Sequence, residues 1–355
     1  MALPSSGSIS LSQVNTELGA ASNATRSLGE TSTRDLFGEP SGVISLSDGY
    51  GKSSIFTFNA AIASSTNNYN LNTAMTSAGW NGTKPVAATV TINSGVEVGS
   101  ASTAAAFLIG SLPAGSTVSV VNNGVIWGKG GVGGRYSSNN GIGGSGGIAF
   151  QTSATVTVTN NNLICGGGGG GGCGGATSGG YCQGTDGGTG GSGGSAIVMN
   201  ANVTLYNYGT LSGGGGGGGG GASYQKGYAD GSFSSAGGGG GGGRGYRGGG
   251  GGKLSDAYTD GGCSYGYIGD TGRYGYQGSD GSWGSAGGGG YAGTSNGQAG
   301  NGASGGSLGA AGGTGGAAYG PVTRNGGSGG AAGRAVTTNS GSLSIPVAGT
   351  IYGAY

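Results

Sequence analysis

The sequence predicts a mainly β fold: a β-strand base carries a bundle of glycine helices with aromatic loops, and a small mixed N-terminal module precedes it. Three observations lead there. Glycine fills 100 of the 355 positions, against a usual share of about 7%, so one conventional hydrophobic core for the whole chain is excluded. The apolar residues gather in the first 130 positions and recur later only as short islands between glycine runs. Those islands repeat one unit.

Residues 1–54 form the N-terminal module, bounded by two copies of one tetrapeptide, Ile9-Ser10-Leu11-Ser12 and Ile44-Ser45-Leu46-Ser47. Each alternates apolar and polar residues, which predicts a short strand. Between them, Ser12 is expected to cap a helix from Gln13 to Leu18 that Gly19 ends, and Ser32 with Asp35 to cap a second through Phe37 and Gly38. So short a module buries little surface alone, which predicts docking or oligomerisation. Gly51-Lys52-Ser53 is not a phosphate loop, because Leu46 stands where that pattern needs its first glycine.

Residues 55–128 are expected to be a β-rich base domain with one helix. In Tyr69 to Trp80, Leu71, Met75 and Ala78 share a helical face and Gly79 supplies the stop. Val86 to Val98 and Thr117 to Ile126 alternate as strands do. The repeat unit then runs strand, Asn/Gly turn, short apolar piece, glycine tract. Its best copies begin at Thr117, Thr155 and Asn202, a half copy begins at Ala88, and a degenerate copy at Leu343 makes residues 342–355 a strand returning to the base. The copies are unevenly spaced, which predicts a shared strand layer with glycine excursions of different lengths rather than a strict solenoid.

The excursions occupy residues 129–341, with long runs at Gly166 to Gly172, Gly213 to Gly221, Gly237 to Gly243, Gly248 to Gly252 and Gly287 to Gly290. Glycine alone suggests a flexible linker. A tether, however, needs no strand repeated between its pieces. The ordered alternative is a left-handed helix of the polyproline-II type, three residues per turn, whose amides must find partners on neighbouring strands. A buried strand surrounded closely by others then admits only glycine, while one solvent-facing position in three admits Ala, Ser, Thr or Asn.

Charged residues are 7% of the chain and 13 basic side chains face 12 acidic ones, so nucleic acid and anionic membranes have no electrostatic purchase. No run is apolar for long enough to span a bilayer, and the N-terminus lacks a secretory signal, which predicts synthesis in a cytoplasm without export by that route. Histidine is absent and Cys165, Cys173, Cys182 and Cys263 form no CxxC pair, so no metal or other cofactor is expected. Buried thiols and a bridge such as Cys173 with Cys182 both stay open. Asp230, Asp256, Asp260, Asp270 and Asp280 are scattered singly, with no acid/base pairing to support catalysis.

Between the tracts lie Ala222 to Ala236, Arg244 to Arg247 and Lys253 to Ala286. They hold the candidate receptor-binding residues Tyr224, Tyr228, Phe233, Tyr246, Tyr258, Tyr265, Tyr267, Tyr274, Tyr276 and Trp283, most beside Gly, Ser or Asp. Rigid rings among small residues are the composition of binding loops. With these loops, the glycine runs, the stretch from Gly79-Trp80-Asn81-Gly82-Thr83 to Ile126 and the N-terminal opening from Ile9 to Gly19, the chain resembles the glycine-rich distal adhesins and tail-fibre tip proteins of tailed bacteriophages. The resemblance implies a polyglycine-II sandwich whose aromatic loops bind a bacterial outer-membrane protein or surface glycan. It also implies a virion tail location, no enzymatic activity, and attachment to other phage tail proteins through the N-terminal module. Capping a separate trimeric fibre and homotrimerising on a tail tip are both open arrangements. A structural tail protein without receptor contact is the alternative; an ice-binding protein would need a flat face that the aromatic insertions spoil.

Overall fold

The computed structural model describes residues 2–102, 104–135, 141–175, 177–178, 183–225, 234–235, 242–246, 248–251, 277–292, 299–319 and 323–355. The chain divides into two compact units. The first comprises Met1–Ala60, Asn72–Thr89 and Ser111–Val118, and the second Ala61–Leu71, Val90–Gly110 and Ser119–Tyr355.

The first unit closes around Leu3, Ile9, Val14, Leu36 and Phe37. Helix α1 spans Leu11–Glu17 and α2 spans Thr31–Phe37. Neither tetrapeptide is a strand. Ser10 caps α1, accepting from the Gln13 amide while the Gln13 side chain accepts from the Ser10 amide. Ser45 and Asp48 are paired the same way at a 3-10 turn over Leu46–Gly49. A serine followed three residues later by Gln or Asp satisfies two orphan amides at once, and that local gain overrides a four-residue alternation. Ser12 therefore lies inside α1. Ser32 and Asp35 lie inside α2, whose N-cap is Glu30, its carboxylate accepting from the Ser27 amide at 2.9 Å. Gly38, at φ +78°, ends α2 as expected. Helix α3 spans Leu71–Ser77 with Leu71 and Met75 fully buried, and Gly79 follows at φ +96°. Ala78 lies beyond the helix and is exposed; Trp80 is buried instead.

Glu17 fastens α1 to the end of this module. Its Oε1 accepts from the Ser53 hydroxyl at 3.0 Å and the Ser54 amide at 2.9 Å. Burial alone raises this carboxyl, but hydrogen bonds to its charged form, the Ser54 amide first and the Ser53 and Ser54 hydroxyls among the others, hold it below the ordinary glutamate value. A depressed folded pKa gives stability that is fully present above the unfolded value, about 4.3, and lost as pH falls through the folded one. Glu17→Gln should therefore cost about 1 kcal/mol or more at pH 7, and the gap between variant and parent in thermal melts should close toward pH 3. A gap that is constant with pH would refute this role for the charge.

The second unit consists largely of a parallel β-solenoid, of which the first residues of three strands, β1, β4 and β7, are counted in the first unit. Six successive passes of the chain contribute β1 (Phe56–Ile62), β2 (Thr66–Asn67) and β3 (Tyr69–Asn70); β4 (Val86–Ile92), β5 (Glu97–Gly99) and β6 (Phe107–Ile109); β7 (Thr117–Asn122), β8 (Val125–Trp127) and β9 (Phe150–Thr152); β10 (Val156–Asn160), β11 (Leu163–Cys165) and β14 (Ile197–Met199); β15 (Val203–Asn207), β16 (Thr210–Ser212) and β19 (Val336–Thr338); and β20 (Leu343–Val347) with β21 (Thr350–Tyr352). Three sheets result, in the orders β1-β4-β7-β10-β15-β20, β2-β5-β8-β11-β16-β21 and β19-β14-β9-β6-β3. Two short hairpins stand apart, β12 (Thr177–Ser178) with β13 (Gln183–Gly184) and β17 (Tyr224–Gln225) with β18 (Ser234–Ser235).

The expectation against a solenoid is thus corrected. The sequence copies pair in parallel register, Val156 with Val203 and Ile164 with Ile126, and their spacing is uneven because each glycine excursion enters at the same corner. The first leaves after β8 and returns before β9, the second joins β11 to β14, and the third joins β16 to β19. At the turn before that corner, Asn122, Asn160 and Asn207 are fully buried and stacked. Asn122 Nδ2 donates to Asn160 Oδ1 at 2.8 Å, and Asn160 Nδ2 donates to Asn207 Oδ1 at 2.7 Å. On the third sheet Phe107 stacks on Phe150 at 5.1 Å.

Candidate functional site

The glycine runs hydrogen-bond to one another with a period of three. Gly166, Gly169, Gly172 and Gly175 donate to Ser212, Gly215, Gly218 and Gly221 on the next outgoing run. Their neighbours Gly167, Gly170 and Cys173 donate to Gly147, Gly144 and Gly141 on a returning run, and Gly171 donates to Gly250 on another. Carbonyls of the same run accept in turn: Gly168 from Gly131, Gly170 from Gly191 and Gly169 from Gly243. Backbone polar groups are satisfied between runs rather than within them, as burial requires.

This arrangement explains where side chains are admitted. The runs 166–175 and 213–223 are buried throughout, and both read as almost unbroken glycine. A Cβ on Gly169, Gly170 or Gly172 would stand 1.9–2.0 Å from a neighbour's carbonyl oxygen. Returning runs at the margin keep glycine only where they face inward: Gly327, Gly330 and Gly333 are buried, whereas Ser328, Ala331 and Arg334 are exposed.

The runs turn at two ends. At the solenoid end, Tyr246 donates to Glu97 of β5, and Gly309 donates to Gly213, the first residue after β16. Trp283 belongs to the same end, since its carbonyl accepts from Arg244 Nε at 2.6 Å. The opposite end gathers the described residues Arg135, Gly175, Ser223, Gly251, Ala292 and Ala318, linked by bonds such as Gly175 to Gly221, Ser223 to Thr185 and Gly300 to Ala222. Hairpins β12–β13 and β17–β18 extend from that far end.

Of the aromatic residues expected at a receptor, Tyr246 and Trp283 are therefore brought to the solenoid end. The Tyr246 hydroxyl donates to Glu97 Oε1 at 2.6 Å, and Trp127 Nε1 donates to the other carboxylate oxygen at 3.0 Å. The Tyr246 ring lies 6.2 Å from Trp127 and 6.3 Å from Trp283, and the Arg244 guanidinium sits 5.7 Å over the Trp283 ring. An aromatic, charge-satisfied cluster of this kind anchors a turn. Tyr224 lies in β17 at the far end. Tyr228, Phe233, Tyr258, Tyr265, Tyr267, Tyr274 and Tyr276 lie outside the described residues. Sequence reasoning missed Tyr291 and Tyr319, which are 72% and 67% exposed at the far end; each is a lone ring closing a glycine run, the signal that could have found them.

Among the described residues no group of three His, Cys, Asp or Glu side chains could hold a metal, and no helix is long and apolar enough to cross a membrane. Asp280 accepts from the Gly251 amide at 2.6 Å and so serves the glycine packing; Asp230, Asp256, Asp260 and Asp270 lie outside the described residues. Cys165 and Cys173 are buried free thiols, each pushed up to about 11 by burial, while Cys182 and Cys263 lie outside the described residues. Since the thiolate is the reactive form, iodoacetamide at pH 8 should leave both unlabelled in the native chain and label them after denaturation, as read by mass spectrometry. Full native labelling would contradict this packing.

Residues 57–195 match the family described as phage tail fibre adhesin Gp38. The chain is similar there to a phage tail fibre adhesin. The matched stretch, shorter than half the chain, runs from β1 through the first two glycine excursions to the residue before Ala196 and β14. No curated protein matches the chain. Among solved structures, one chain of the crystal structure of the gp37-gp38 adhesin tip complex of the bacteriophage S16 long tail fiber is similar at 19% identity and a TM-score of 0.41, with 99% of each chain covered; that likeness is too distant to argue from.

Proposed function

We propose that this chain is a non-enzymatic adhesin of a bacteriophage tail, binding a bacterial surface receptor through loops at the far end of its glycine runs. The observation that carries this is the match of residues 57–195 to the tail fibre adhesin family. The period-three bonding and the absence of room for any Cβ in the interior runs support a scaffold of the polyglycine-II type. In this reading the candidate receptor residues are Tyr224, Tyr228, Phe233, Tyr258, Tyr265, Tyr267, Tyr274 and Tyr276, whereas Tyr246 and Trp283 anchor the solenoid end. The N-terminal module attaches to other tail proteins, and the chain resides in the virion tail.

The test is adsorption. Purified chain should bind cells of the host bacterium, and exchange of segments 226–233 and 252–276 for those of a related adhesin should redirect binding. Segment 242–251 is to be left intact, because Tyr246 is tied to Glu97. Unchanged host choice after the exchange would sink the loop assignment.

A further inference from the structure

Tyr291 and Tyr319 turn most of their surface to solvent. They are 72% and 67% exposed, at the far ends of the runs 286–292 and 311–319. Exposed positions elsewhere on these runs are small, such as Gly288, Ala311 and Thr314, so an exposed lattice position has no need of a large ring. Between them lies the run that begins near Ala299. Its Asn301 reaches both neighbours: Oδ1 accepts from the Ala292 amide, next to Tyr291, at 2.8 Å, and the Asn301 carbonyl accepts from Gly316 at 2.7 Å.

The chemistry around these rings decides what they would bind. A protein partner is held by an apolar, fully buried interface core with anchors in well-packed pockets. Among the described residues, the exposed positions on these runs are otherwise Gly, Ala, Ser, Thr and Asn, with Asn301 and Ser304 on the central run. Exposed rings flanked by amides and hydroxyls suit a sugar instead. A pyranose lays its C–H face on an aromatic ring, and its hydroxyls accept from the amide donors of an Asn carboxamide; with Oδ1 engaged by the Ala292 amide, Asn301 has its Nδ2 donors to offer. Tyrosine gives that contact area at low entropy cost.

We infer that Tyr291, Asn301 and Tyr319 form a saccharide-binding edge at the far end of the glycine runs, the two rings stacking on sugars and Asn301 bonding to hydroxyls between them. The inference rests on the adhesin reading and names the class of receptor.

The experiment measures binding of the full chain, and of Tyr291→Ala, Tyr319→Ala and Tyr319→Phe, to host cells that are untreated, protease-treated or oxidised with periodate. Binding should survive protease and fall after periodate. Each alanine variant should bind about ten-fold more weakly, equivalent to about 1.4 kcal/mol, with an unchanged melting temperature, while Tyr319→Phe keeps its ring and stays near the parent. Binding that is lost to protease and survives periodate overturns the saccharide inference and leaves the adhesin reading standing. Alanine variants that bind like the parent overturn the site. Failure of the parent to bind untreated host cells overturns the adhesin reading itself, and the inference with it.

Discussion

Gly169→Ala is expected to unravel the glycine excursions while leaving the solenoid folded. Gly169 is buried; its amide donates to Gly215 and its carbonyl accepts from Gly243. A Cβ there would stand 2.0 Å from the Gly191 oxygen. In an ordinary core a methylene too many costs about 1–3 kcal/mol, because side chains shift aside. Here every wall is backbone that is itself hydrogen-bonded, so relief requires moving a whole run and breaking its bonds. A loss of about 3 kcal/mol or more follows. The runs have little to spare: each bond contributes about 1 kcal/mol net, against an ordering cost of about 1–2 kcal/mol per residue. Limited proteolysis should cut the variant within the excursions 128–149, 166–196 and 213–335 and spare the solenoid strands, whereas Ser328→Ala, at an exposed position one residue from buried Gly327, should match the parent. If Gly169→Ala melts and resists protease like the parent, the runs are not close-packed.

The same contrast between inward and outward positions governs how far the fold is legible in sequence. The strand, turn and glycine repeat is visible because its Val, Thr and Asn residues recur at matching places, and the copies indeed lie in register. The third strand of each pass is harder to see. Phe150–Thr152, Ile197–Met199 and Val336–Thr338 are three residues long and are separated from their partners by excursions of unequal length, so no fixed period marks them. Its one signal is an apolar residue preceded by alanine at the end of each glycine return, Ala149-Phe150, Ala196-Ile197 and Ala335-Val336. The tetrapeptides of the N-terminal module mislead because period two over four residues is weaker than a capping box, and the boxes Ser10 with Gln13 and Ser45 with Asp48 are readable in hindsight. For the candidate site, aromatic loops between glycine runs are legible as a class. Which end of the runs a loop occupies is not, since it depends on how many runs precede it; Tyr246 and Trp283 look like Tyr224 in sequence yet lie at the opposite end.

The asparagine stack supplies the second large effect, and its polarity can be tested by one substitution. Asn160 accepts from Asn122 and donates to Asn207 Oδ1 at 2.7 Å and to the Thr210 carbonyl at 3.1 Å, and all three asparagines are fully buried. Asn160→Asp keeps the shape and the acceptor but not the donors. Ionised, the new carboxylate would face Asn207 Oδ1 and the Thr210 oxygen with no proton to give, leaving a buried charge opposed by two acceptors. Loss of about 3–5 kcal/mol is expected at pH 7. Burial and acceptor neighbours both favour the neutral acid, so the folded-state pKa is raised above the unfolded one. A raised folded pKa means that the penalty is small below the unfolded value and grows as pH rises through it. Thermal melts of the Asn160→Asp chain should therefore approach the parent near pH 3 and fall progressively below it toward pH 7. Asn160→Ala, which cannot regain a proton donor, should instead stay destabilised at both values. A profile of Asn160→Asp that runs parallel to the parent at every pH would mean that the stack does not hold the passes of the solenoid in register through its donors.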